Sequence, residues 1–221
     1  MSDPASPKPT RTHFERQVKR LQEDVLRMGA LVENSFWLAH QALFERNLEA
    51  ANQITLQEKQ IDQFYRQIEL DCVTLIALQS PVARDLRLIS TLMQLVRDLE
   101  RIGDYAEDLG EIAAKLFLYP DHPCMGQVQQ MFNRSHSMLS LSLVALSDLN
   151  AELGLQLKVK DDAVDSDYET LYNVLARQTD IQGAIESLLL VVLVIRHLER
   201  MADHATNIGQ RVAYIVTGQR Y

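Results

Sequence analysis

Four acidic pairs, each spaced four residues apart, are the chain's most chemically suggestive feature: Glu58 and Asp62, Glu100 and Asp104, Asp161 and Asp165, Glu199 and Asp203. On a helix that spacing sets both carboxylates of a pair on one face. Carboxylates gathered at one place repel each other unless protons or a cation neutralise them. An oxygen-only donor set suits a hard or borderline cation such as Mg²⁺, Ca²⁺, Mn²⁺ or iron. One such pair is ordinary on a solvated helix face; recurrence of four pairs at matched places carries the cation reading. Asp108 and Asn207, one turn beyond Asp104 and Asp203, are further candidate ligands.

The elements that must position these acids are helices. Beyond residue 12 only Pro81, Pro120 and Pro123 interrupt the chain, so long helices can run unbroken. A seam of Val18, Leu21, Val25, Met28, Val32 and Ala39 marks a helix over about residues 14–46, with Phe36 and Trp37 read as core. Ile54, Ile61, Ile68, Cys72 and Leu75 mark a second over about 48–78. Ser80-Pro81 supplies a turn and a proline suited to the first helical position of a third. That third seam is the most regular: Leu88, Leu92, Leu95, Leu99, Ile102, Ala106, Leu109, Ala113 and Leu116, ending by Pro120. Three more stretches follow, about 126–149, 152–179 and 182–217, with Gly154 and Val159 weakening the second of them.

Three helices before the prolines and three after prompt a search for a repeat. At an offset of 99, Leu95, Leu99, Ile102, Ala106, Leu109, Ala113 and Leu116 fall on Val194, Leu198, Met201, Ala205, Ile208, Val212 and Ile215, and six of the twelve positions 99–110 match 198–209. At an offset of 103, Glu58, Ile61, Asp62 and Tyr65 fall on Asp161, Val164, Asp165 and Tyr168. The expected fold is therefore all-α, two tandem antiparallel three-helix bundles. Residues 1–12 are expected to be a flexible tail, 13–119 the first bundle and 124–218 the second.

Counting from Ser80, Asp62 lies 18 residues before and Glu100 20 after, Glu58 22 before and Asp104 24 after. On antiparallel helices these heights differ by only about 3 Å. Counted from Asp180, the second set differs by about 6 Å. Each bundle can thus gather four carboxylates. Angles of about 130° and 170° from their own seam turn Glu100 and Asp104 outward, which disfavours a buried catalytic site. Residues 98–111 hold six acids and one arginine, and 197–211 two of each. The first set should therefore hold a cation more tightly.

Composition removes several function classes. The 22 basic and 30 acidic side chains leave a net charge of −8, which disfavours nucleic acid as a partner. Cys72 and Cys124 are too far apart to suggest a disulfide framework or a thiolate zinc site, and fit a reducing compartment. The longest apolar run, 188–195, is eight residues, far short of the roughly 20 a membrane span needs. A cytoplasmic protein without membrane insertion is expected. No Glu-x-x-His occurs, so a ferritin-like di-iron site has no support, and neither a phosphate-cradling glycine loop nor a nucleophile-elbow motif is present. His197 and His204, seven apart beside an acidic pair, are read as surface histidines, with ligand or phosphoacceptor as the sharper alternatives. Gly103, Gly110 and Gly209 fit close helix contact. Arg84, Arg87, Arg97 and Arg101 could meet an acidic partner or pair with nearby acids.

Three segments carry a resemblance: Ser80-Pro81-x-Ala83-x-Asp85-Leu86-Arg87, Asp98-Leu99-Glu100-Arg101-Ile102-Gly103-Asp104, and the run from Leu198-Glu199-Arg200 through Asp203-His204 to Asn207-Ile208. With them, over residues 14–218, the sequence resembles the PhoU family, accessory proteins of phosphate-specific transport that regulate phosphate uptake. The resemblance implies a tandem of three-helix units whose acidic motifs bind metal clusters at the surface. Glu58, Asp62, Glu100 and Asp104 would form one site, and Asp161, Asp165, Glu199 and Asp203 the other. The implied cofactors are divalent or trivalent metal ions on oxygen ligands: Mg, Ca, Mn, Fe or Zn. The implied function is negative regulation of phosphate uptake and of the phosphate-starvation response, without catalysis. The implied partners are the phosphate ABC transporter, through its ATPase subunit, and a membrane sensor histidine kinase, with a homodimer as the expected assembly. A metal-dependent helical-bundle hydrolase is the alternative from another class; a histidine phosphotransfer module using His197 or His204 is a third.

Overall fold

The computed structural model describes residues 9–179 and 184–221, with side chains from His13 onward. Six helices run in order: α1 Pro9–Phe44, α2 Leu48–Gln79, α3 Ala83–Leu116, α4 Met125–Asp148, α5 Ala151–Ala176 and α6 Ile185–Thr217. Among the described residues there is no strand. The helix begins at Pro9, so the last four residues of the expected tail belong to α1; residues 1–8 lie outside the described residues. So do Asp180 and Gln182, where the last turn and the last helix start were placed. Pro81 does not open α3: Val82 is the N-cap and Ala83 the first helical residue.

The repeat reappears in the turns. Arg46 (φ 55°) and Leu149 (φ 49°) both take the left-handed conformation, and the next residue, Asn47 or Asn150, caps the following helix. Asn47 accepts from Glu49 and Ala50 N–H, Asn150 from Leu153 N–H, satisfying donors that a helix start leaves unpaired.

Within each unit all neighbouring helices pack, and the units join through α3 against α6 and α1 against α4. The seams of α3 and α6 are buried from Leu92 to Ala113 and from Val194 to Ile215. One core runs through both units. At the α1/α4 face Phe36 and Phe132 meet edge to face, centroids 4.7 Å apart. Trp37 is not core: it is 43% exposed, stacked on His40 at the surface edge of that face. The seam's period fixed Phe36 inside, and one residue turns the next side chain through about 100°.

Gly154 does not weaken α5. A Cβ there would lie 2.4 Å from Gly209 O, and a Cβ at Gly209 would lie 2.4 Å from Gly154 O. The two glycines let the backbones of α5 and α6 touch. Gly110 meets Ala51 and Ile54 at the matching place between α3 and α2, and Gly103 meets Ile61.

Candidate metal centres

Contact of Gly103 with Ile61 brings α2 and α3 together between their acidic pairs, since Asp62 follows Ile61 and Asp104 follows Gly103. The four carboxylates of the first unit lie close enough to act on one another. Burial, then the charge of Asp62, then Glu107 and Asp104, raise Glu58 above its ordinary value. Burial and then Asp104 are the largest effects raising Glu100. Asp104 is raised by burial first, with Asp108, Asp62 and Glu107 adding to it against the pull of Arg101. Glu107 therefore belongs to this acidic face, although the spacing argument passed over it. These side chains are not simply outward-facing: Glu100 is 19% exposed and Asp104 34%. An angle measured on one helix ignores the neighbour, and α2, which carries Asp62, packs against α3.

In the second unit burial and then Asp161 and Asp203 raise Asp165. Burial also leads for Glu199, where Asp203 and Asp165 push up while Arg196 and Arg200 pull down. Asp161 is the most enclosed of the eight acids, 3% exposed. One of its oxygens accepts from Lys158 Nζ at 3.0 Å, and the other, Oδ1, is buried without a hydrogen-bond partner. A buried carboxylate oxygen left unpaired is costly.

Glu58, Asp62, Glu100 and Asp104 lie on the α2/α3 face, and Asp161, Asp165, Glu199 and Asp203 on the α5/α6 face, each set near enough to act on its own members by charge. Their oxygens do not close on a point. Among the described residues no three His, Cys, Asp or Glu side chains are placed to hold one metal ion. Basic neighbours hold most of them: Arg66 pairs with Asp62, Arg101 with Glu100 and Asp104, Lys158 with Asp161, Arg196 with Glu199, Arg200 with Asp203. These are mostly exposed cations on the same helix, contacts worth little in water and displaceable by a multivalent ion. The donor set fits an oxygen-ligated cation: two groups of half-buried acids, raised by burial first and by their neighbours' charge after it, one group with an orphaned oxygen.

His197 and His204 are not surface histidines. His204 Nδ1 lies 2.9 Å from Asp98 Oδ1, and Arg211 Nε donates to Asp98 Oδ2 at 2.5 Å. Asp98, 5% exposed, so ties α3 to α6 across the two units. Burial lowers the His197 pKa, and its ring lies against Tyr105, centroids 5.3 Å apart. Under the 99-residue offset the contact 98 to 204 becomes 105 to 197, so α3 and α6 cross antiparallel about a pseudo-two-fold axis. Sequence reading counted Asp98 with the metal-face acids. Its one visible signal was adjacency to the seam residue Leu99. Arg87 also crosses to α6, donating from Nε to Ile215 O at 3.2 Å, and Arg101 stays with its own acids.

A second arrangement was invisible beforehand. His122 Nδ1 lies 3.0 Å from Cys124 Sγ, and His122 Nε2 lies 2.9 Å from Gln178 Oε1. It looks like a nucleophile dyad, but Cys124 is buried and burial raises its thiol, the opposite of activation. It fastens the linker to the end of α5. Cys72, also buried, is pushed up to about 12.

The family described as "PhoU domain" matches residues 25–113 and again 128–212. A protein of Synechocystis sp. named "Phosphate-specific transport system accessory protein PhoU homolog" is 59% identical over 96% of this chain and 95% of its own. One of that name from Clostridium acetobutylicum is 32% identical over 96% and 97%. The crystal structure of PhoU from Pseudomonas aeruginosa superposes with TM-score 0.87 at 32% identity, over 93% of this chain and all of that one. With the domain matched twice and each match carrying one of the two acidic faces, this chain belongs to the PhoU family.

Proposed function

We propose that the protein is a metal-binding adaptor that restrains phosphate uptake and keeps the phosphate-starvation response off when phosphate is plentiful. It links the phosphate ABC transporter, through the ATPase subunit, to a sensor histidine kinase. The observation that carries this reading is the duplicated PhoU domain with an acidic face on each copy, in a chain matched over 96% of its length by proteins named as accessories of phosphate-specific transport. Glu58, Asp62, Glu100 and Asp104 hold one cation or cluster, and Asp161, Asp165, Glu199 and Asp203 the other. The bound ion supplies positive charge that cancels the repulsion and turns an acidic face into one a partner can approach. Arg66, Arg101, Lys158, Arg196 and Arg200 hold the carboxylates in place and give them up to the metal.

The role is non-catalytic: the Cys124 thiol is buried and raised, and both central histidines brace the α3/α6 interface. The work is done at the cytoplasmic side of the membrane; among the described residues no helix is long and apolar enough to cross it. The test is co-purification of the tagged chain from phosphate-replete cells, with mass spectrometry of bound proteins and elemental analysis of the same sample. The transporter ATPase and a histidine kinase, with metal in the eluate, are expected; a metal-loaded protein recovered with neither would refute the adaptor role.

A further inference from the structure

We propose that a cleft between α3 and the end of α6 is a receptor for a free tetrahedral oxyanion of the phosphate type, separate from both acidic faces. The cleft has a volume of about 260 Å³; Thr91, Gln94, Gln210, Arg211, Tyr214 and Arg220 line it, together with Asn207 and Tyr221, and no Asp or Glu side chain is among the lining residues. In a chain of net charge −8, two guanidiniums, carboxamides and hydroxyls line this cleft, and Asp98, the acid that touches them, is bonded to Arg211.

The donors are also held in position. Arg211 is fixed by Asp98 at Nε and by Gln94 Oε1 at its Nη1, 2.8 Å away. Gln94 then keeps its amide N–H₂ as the free group. Arg220 lies over the Tyr214 ring, 5.7 Å from the centroid. Thr91, only 2% exposed, lines the floor. With Nε given to Asp98 and one Nη1 hydrogen to Gln94, Arg211 keeps its other Nη1 hydrogen and both on Nη2, which together with the neutral donors can meet the oxygens of a phosphate. Asp98 balances Arg211, so Arg220 and the neutral donors supply the net attraction.

The internal repeat serves as a control. The 99-residue offset carries Thr91 and Gln94 onto Leu190 and Leu193, and carries Arg211 back onto Ile112 and Gln210 onto Glu111. At the other end of the same pseudo-symmetric crossing these matching positions hold apolar and acidic residues, with Lys115 in place of Tyr214 and Asp121 in place of Arg220. Packing therefore does not demand the arginine cleft; it is a feature of one end alone. The inference stands on this cleft and is independent of the adaptor reading.

The test is calorimetric titration of the full chain with inorganic phosphate in the presence of a chelator, which removes any phosphate carried by metal on the acidic faces. Saturable binding near millimolar phosphate is expected, the affinity one net charge and a few neutral donors support. Arg220→Gln should weaken it about ten-fold with an unchanged melting transition, and Arg211→Lys, which keeps the charge toward Asp98 but loses the fork, should weaken it similarly. Sulfate should compete, and chloride at equal ionic strength should not. Absence of saturation in chelator, or unchanged affinity in Arg220→Gln, would overturn the proposal. So would binding of a phosphorylated peptide in place of the free ion.

Discussion

Replacing Asp98 by Ala should cost about 3 kcal/mol in urea unfolding, because it strips a nearly buried carboxylate from Arg211 and His204. Loss under about 1 kcal/mol would mean that the network across α3 and α6 is incidental. The half-buried acids act in the opposite sense. The carboxyls of Glu58, Glu100, Glu199, Asp104 and Asp165 are raised above their ordinary values, through burial first and like charge after it. A carboxyl raised in the folded state binds its proton more tightly folded than unfolded. It adds stability in acid that is lost as pH climbs from the unfolded value through the folded one. The metal-free protein should therefore lose part of its stability across that window, and a Glu58→Gln, Glu100→Gln double variant should show a flatter dependence. A denaturation series over about pH 4 to 7 reads the difference. Saturating Mn²⁺ should oppose the loss, since the cation binds the ionised form. The identities of the acids were legible because spacing of four is a one-helix property. The partners of Asp98 and the orphaned oxygen of Asp161 were not, because both depend on which helix lies opposite.

At the scale of elements, the close approach of α5 to α6 rests on Gly154 and Gly209. Gly154→Ala sets a methyl 2.4 Å from the Gly209 carbonyl, and backbone cannot give way as a side-chain tip can. It should destabilise the chain by about 3 kcal/mol or more, measured by chemical denaturation, while Gly126→Ala, with open space around it, should be neutral or stabilising by up to about 1 kcal/mol. Equal effects would show that the helices are free to part. The helices themselves were readable because each buries a stripe of period 3.6. Gly154 was misread for the same reason: helix propensity ranks glycine as a weakness, and only the facing glycine makes it a contact. Trp37 illustrates the same limit, since a seam reports the centre of a buried stripe better than its edge.

For the whole molecule, the two acidic faces are unequal. Asp98 leaves the first face to meet α6, yet Glu107 and Asp108 join the four carboxylates there against Arg66 and Arg101, while on the second only Asp162 joins them against Lys158, Arg196 and Arg200. Glu100→Ala should therefore reduce Mn²⁺ affinity more than Glu199→Ala in parallel titrations, equal losses arguing against local charge as the ranking factor. The duplicated architecture was legible from the two offsets, and the antiparallel crossing of α3 on α6 was not, because a repeat tells what each copy contains and not how the copies meet. The most direct test of the account is a Glu100→Ala, Asp104→Ala double variant, followed by a phosphatase reporter in phosphate-rich cells and by thermal unfolding of the metal-free protein. The account predicts a starvation response switched on in cells and a melting transition kept or raised, since removing mutually repelling carboxylates relieves the fold. A silent reporter with the variant's first face shown to be metal-free would contradict the claim that these acids carry the regulatory function.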